Sequence, residues 1–217
     1  MQNSTRRLLV SAALSMLGLA TTIAWYKNAQ KNSIVRKDEV PVAKLLELEN
    51  EVQRKFARRL IWQDLANNDI LFTGEAVRTS KNSRAVIWLP DINNGNIDWE
   101  KGLSIDLEPE SVIVLERNRN KLALNFLEGD LTVRQNGTTS SNSVVLQTES
   151  GTVELKNSEL NLERGKNGPL SMQVLKGQAE ITLHDGKKIQ VDQNNSALIQ
   201  DGRLQKTTQP MEVLDRK

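Results

Sequence analysis

The feature that most constrains this chain is a two-residue alternation of apolar and polar side chains, cut into short runs by turn residues. The strand pattern sets in at Leu60 and continues to Ile199. Runs at 84–89, 103–107, 112–115, 122–127, 131–134, 144–148, 152–155, 160–162, 172–175, 179–183, 188–191 and 197–199 are rich in Val, Ile and Leu. Ser104-Ile105-Asp106-Leu107-Glu108 and Leu160-Asn161-Leu162-Glu163 alternate strictly, which puts the apolar side chains of a strand on one face. Asn136-Gly137, Asp185-Gly186, Asp201-Gly202 and Lys166-Asn167-Gly168 lie between runs, and such residues tolerate the positive φ of tight turns. About a dozen short strands so punctuated predict an all-β fold, a multi-stranded sandwich or a solenoid-like β domain. A hydrophobic share of 38% suits a β protein with one wet sheet face.

A weak internal repeat accompanies the alternation. Phe126-Leu127-Glu128-Gly129-Asp130-Leu131-Thr132-Val133 is similar to Val174-Leu175-Lys176-Gly177-Gln178-Ala179-Glu180-Ile181. Each is an apolar pair, a charged residue, Gly, then alternation. Gly in mid-strand marks a bulge or corner, so the two copies predict strands that turn in the same way.

The amino-terminal part is different. Arg6 and Arg7 precede an uncharged run over 8–26 that ends in Trp25-Tyr26. This is close to the roughly 20 residues that cross a bilayer as a helix, with interfacial aromatics at its far end. Two readings stand: a retained single transmembrane helix, or a cleavable secretory signal. Lys27, Lys31, Arg36 and Lys37 follow the run, and the positive-inside rule alone would leave the large domain in the cytoplasm. Long domains translocate despite such charges, and the expectation is a β domain outside the cytoplasm. A polar spacer follows. Val42, Leu45, Leu46 and Leu48 then fall at near-helical spacing behind Pro41, which predicts a short amphipathic helix over 42–50. The layout is thus a short segment 1–7, an anchor or signal 8–26, spacer and helix 27–50, a β domain 51–202, and a polar, poorly ordered tail 203–217.

Several chemistries are set aside. Net charge is +2, from 29 basic and 27 acidic residues, which makes no case for nucleic-acid binding. There is no Cys, so thiol catalysis, disulfides and Cys-based zinc sites are excluded. The lone His184 sits beside Asp185-Gly186, in an exposed turn with nothing to position a triad. Asp106 and Glu108 share a strand face, read as the wet face rather than as a hydrolytic pair. No Gly-rich phosphate loop is present. The expectation is a non-enzymatic protein without cofactor or metal.

One residue constellation resembles a known family. It comprises Trp62, Leu71-Phe72, Gly74-Glu75, Val77-Arg78-Thr79, Ser83-Arg84-Ala85-Val86-Ile87 and Pro109-Glu110-Ser111 before Val112. Glu128-Gly129 and Lys176-Gly177-Gln178 extend it. This order is similar to the FecR-type domain of bacterial ferric-citrate regulators. The resemblance implies an all-β periplasmic domain on a single-pass inner-membrane protein. Only seven residues precede the apolar run, so a stand-alone, membrane-anchored relative without a sigma-factor arm is expected.

Where that family has a tight turn, this chain carries an insertion over 91–102. Asp91, Asp98, Trp99 and Glu100 make it the candidate interaction loop. A Trp with acidic neighbours suits a protein or glycan contact, while the structural reading is a longer hairpin whose Trp covers the domain edge. Its Asp91-x-Asn93-x-Gly95 pattern lacks the terminal Glu of a calcium loop, since position twelve is Gly102. The expected function is protein interaction or signal transduction in the bacterial envelope, with another envelope protein as partner. The alternative is a module binding peptidoglycan or another polysaccharide.

Overall fold

The computed structural model describes residues 15–16, 18–19, 21–23, 41–57, 59–93, 96–118, 121–136, 144–201 and 203–207. The chain divides into two compact units, Met1–Glu39 and Val40–Lys217. In the first, the described residues are helical, with Met16, Leu19 and Ile23 exposed. No helix among the described residues is long and apolar enough to cross a membrane. Most of the predicted span 8–26, and the spacer that follows it, lie outside the described residues.

The described residues of the second unit form fifteen strands: β1 Pro41–Glu49, β2 Val52–Lys55, β3 Gln63–Asp64, β4 Ile70–Phe72, β5 Glu75–Thr79, β6 Arg84–Asn93, β7 Asn96–Leu107, β8 Val112–Asn118, β9 Lys121–Asn136, β10 Val144–Thr148, β11 Gly151–Arg164, β12 Leu170–Leu183, β13 Lys188–Asp192, β14 Ser196–Gln200 and β15 Arg203–Thr207. Their pairings form two rows. One runs β4-β1-β6-β7, then the second halves of β9 and β11, the first half of β12, β14 and β15. The other runs β3-β2-β5-β8, then the first half of β9, β10, the first half of β11, the second half of β12 and β13. The long strands β9, β11 and β12 belong to both rows. A single apolar cluster joins residues of both, among them Ile105, Val133 and Leu160 from one and Ile113, Leu124 and Ile181 from the other.

The crossing strands change parity where they turn. In β9, Leu122, Leu124 and Phe126 are buried, then Leu131 and Val133. In β11, Val153 gives way to Leu160 and Leu162, and in β12 Leu170, Met172 and Val174 give way to Ala179, Ile181 and Leu183. A strand that keeps one face inward buries every second residue. A corner that takes up one extra residue shifts the buried set from even to odd positions, or the reverse. In β9 the extra residue is Leu127, skipped between the pairs Val112↔Glu128 and Ile113↔Phe126 and left 48% exposed. Gly129 and Gly177, the two glycines of the internal repeat, sit at these corners with φ of 106° and 75°.

The predicted helix over 42–50 is instead β1. Its pairings with β4 and β6 shift register between Pro41 and Ala43 and between Leu45 and Glu47. These irregularities break the period of two, so Val42, Leu45 and Leu48 imitate helical spacing while lying on a strand. Neighbouring strands on both sides complete the backbone ladders of β1, and tertiary pairing overrides the local pattern. The expected poorly ordered tail begins instead with a strand: residues 203–207 pair with β14 across the turn at Asp201, and 208–217 lie outside the described residues.

Candidate interaction site

The insertion lengthens the β6–β7 hairpin. From Ala85↔Leu107 to Pro90↔Gly102 the two strands run in regular register and bury Ala85, Ile87, Leu89, Leu103, Ile105 and Leu107. The next pair is Asp91↔Asp98, so Trp99, Glu100 and Lys101 bulge out of β7 without cross-strand partners. Gly102 closes the bulge because a Cβ there would overlap the Leu89 carbonyl. The Trp88 indole donates a 3.1 Å hydrogen bond to the Trp99 carbonyl, and the Glu100 amide donates to the Asp98 carboxylate at 3.0 Å. Lys101 pairs with Asp98 at 3.8 Å. The bulge is therefore fastened by the Trp88 and Asp98 side chains, and it leaves Trp99 and Glu100 exposed, Trp99 to 38%.

Of the four residues singled out in the sequence, Asp98, Trp99 and Glu100 come together on this bulge. Asp91 does not join them as a surface group, since it is buried at the base of the arm. Residues 94–95, which include Gly95 of the calcium-like pattern, lie outside the described residues. Among the described residues no group of three His, Cys, Asp or Glu side chains could hold a metal ion.

Two other expectations fare differently. His184 is exposed in the turn after β12, with a ring nitrogen 2.6 Å from the Glu149 carbonyl oxygen. Asp106, by contrast, is not on a wet face: its side chain is 4% exposed, between Arg84 at 3.1 Å and Arg134. Arg84 also reaches Glu108 at 3.6 Å, and Arg134 reaches Glu159 at 2.9 Å. The long arginines of β6 and β9 lie over the shorter aspartate between them and cover it, which alternation alone does not reveal. This ladder ties β6, β7, β9 and β11 together and pairs both Asp106 and Glu108 with arginine.

The sequence reading missed the loop between β2 and β3. Read as the start of a strand, Leu60 and Ile61 lie in this loop and are 94% and 73% exposed. Next to them in the chain, the Trp62 ring lies under two cations, Arg78 at 4.2 Å and Lys55 at 5.0 Å. Gln53 holds the Arg78 guanidinium by accepting bonds of 3.0 and 2.6 Å. Arg54 and Arg59 face the buried Phe56 ring at 4.6 and 5.4 Å. The usable signal was the interleaving of Lys55 and Arg59 with Phe56, Leu60, Ile61 and Trp62.

The fold defines the described part of the second unit as an all-β domain whose long strands pass between two rows around one core. No known family profile matches the chain, and no curated protein does. Two crystal structures of a candidate anti-sigma factor from Parabacteroides distasonis ATCC 8503 are similar at 11% identity, with TM-scores of 0.48 and 0.49. In both cases the match covers 62% of this chain and 59% of that one. The chain thus corresponds to less than two thirds of that protein's length. The FecR-type resemblance rests on the motif residues alone.

Proposed function

We propose that this chain is a non-enzymatic protein of the bacterial envelope. In this reading the apolar run 8–26 tethers it to the inner membrane, and the β domain works in the periplasm by binding another envelope protein or relaying its signal. The observation that carries the reading is the β7 bulge. A partly exposed Trp between two acidic residues, on a hairpin arm fastened by the Trp88 and Asp98 side chains, has the composition of a recognition patch: an aromatic anchor with polar neighbours. A photo-crosslinking residue in place of Trp99 is expected to trap one discrete envelope protein in cells, while the same residue in place of Lys187 traps none. Equal capture at both positions would remove the reading. A periplasm-dependent reporter fused to the C-terminus tests the location and is expected to be active.

The second reading, a peptidoglycan- or polysaccharide-binding module, draws on the same exposed Trp99, since an indole face stacks well on a sugar ring. It predicts that the full chain in detergent co-sediments with peptidoglycan and that Trp99→Ala abolishes this.

A further inference from the structure

We propose that the β2–β3 loop is a second membrane contact, which inserts Leu60 and Ile61 into a bilayer surface carrying anionic lipid. The inference rests on the reading of a membrane-tethered protein given above. Leu60 and Ile61 are adjacent, aliphatic and exposed at a loop, and neither belongs to the apolar core cluster. Isolated exposed leucines are ordinary, but this pair adjoins Arg59 and Trp62 in the chain, and the cations placed against the neighbouring rings carry charge of one sign. Lys55 and Arg78 lie against the Trp62 ring, and Arg59 lies against Phe56. The nearest acidic side chain of the hairpin, Asp64, accepts a 2.9 Å bond from Gln53 at the far end of β3. Exposed aliphatic side chains, a neighbouring indole and cations against that indole are the side-chain types that suit the hydrocarbon, the interface and the phosphates of a bilayer. A single hydrophobic attachment leaves a domain free to tumble, and a second weak contact supported by basic charge would fix its orientation.

The chain has no Cys, so Ile61→Cys accepts one polarity-sensitive fluorophore, and Lys187→Cys, in the exposed turn after β12, serves as the reference position. The full chain is mixed with vesicles of phosphatidylcholine, with or without phosphatidylglycerol. A several-fold rise and blue shift of emission at position 61, confined to the phosphatidylglycerol vesicles, lost in high salt and absent at position 187, is the expected result. Lys55→Glu with Arg59→Glu should abolish the response without changing the far-UV circular dichroism. Co-flotation of the chain with a silent probe overturns this contact and leaves the tether standing. Failure to co-float with either vesicle overturns both. A probe already shielded without lipid would mean that the loop packs on protein, and would also overturn the proposal.

Discussion

Ser111 occupies the space that a side chain on Gly129 would need. The Ser111 hydroxyl accepts a hydrogen bond from the Asp130 amide at 2.9 Å and donates one to the Asp130 carbonyl at 3.0 Å. The start of β8 is thereby fastened to the corner of β9, and the close approach is open only to glycine.

The first prediction concerns that corner. Gly129→Ala would force a Cβ onto Ser111 and hold alanine at φ 106°, a strained conformation. Overpacking and left-handed strain each cost on the order of 1–2 kcal/mol, so a loss of about 2–4 kcal/mol is expected in urea unfolding. Gly177→Ala would hold alanine at φ 75°, and that strain alone should cost at least about 1–2 kcal/mol. A Gly129→Ala variant as stable as the parent chain would show that the corner is not built as described.

Adjacent residues at the corner should respond in opposite ways. Phe126 is buried beneath it and Leu127 is bulged out to solvent. Phe126→Ala should lose about 3–5 kcal/mol, and Leu127→Ala less than about 1 kcal/mol. Thermal unfolding of the pair separates them, and a slip of one residue in register would reverse the order.

The Arg84–Asp106–Arg134 ladder predicts a moderate penalty. Removing a charge from a fully buried pair costs several kcal/mol, but both arginines are partly exposed and can be hydrated when Asp106 is lost. Asp106→Ala should therefore destabilise by about 1–2 kcal/mol. In a double-mutant cycle with Arg134→Ala, the coupling should persist in high salt because the carboxylate is covered.

Asp130 predicts a pH effect. It lies opposite Glu163 in the β9–β11 ladder, and its carboxyl is held above the ordinary value by burial first, then by repulsion from Glu163 and Glu108. A raised folded-state pKa means that the folded chain binds this proton more tightly than the unfolded chain. The contribution is fully present below the unfolded value and is lost as pH rises through the folded one. Asp130→Asn should thus raise the melting temperature relative to the parent chain more at pH 7 than at pH 4. A gain that is larger at pH 4 would contradict the assignment.

Much of the domain was determined locally. Period-two alternation specified strands because a pleated chain presents successive side chains to opposite faces, and the Phe126–Val133 and Val174–Ile181 repeat already contained both the corner glycines and the parity change. The bulge displaying Trp99 was legible as an inserted aromatic between acidic residues. What only the tertiary structure decided is pairing. Strand β1 has near-helical spacing and became a strand because β4 and β6 flank it. Leu60 and Ile61 have the composition of a strand and stayed in a loop, because the β2–β3 ladder pairs only Gln53 and Arg54 with Asp64 and Gln63. Asp106 reads as a wet-face residue and is buried because two arginines distant in sequence lie over it. In each case the deciding energy is a contact between segments far apart in the chain, and no local pattern encodes which neighbours a segment will meet.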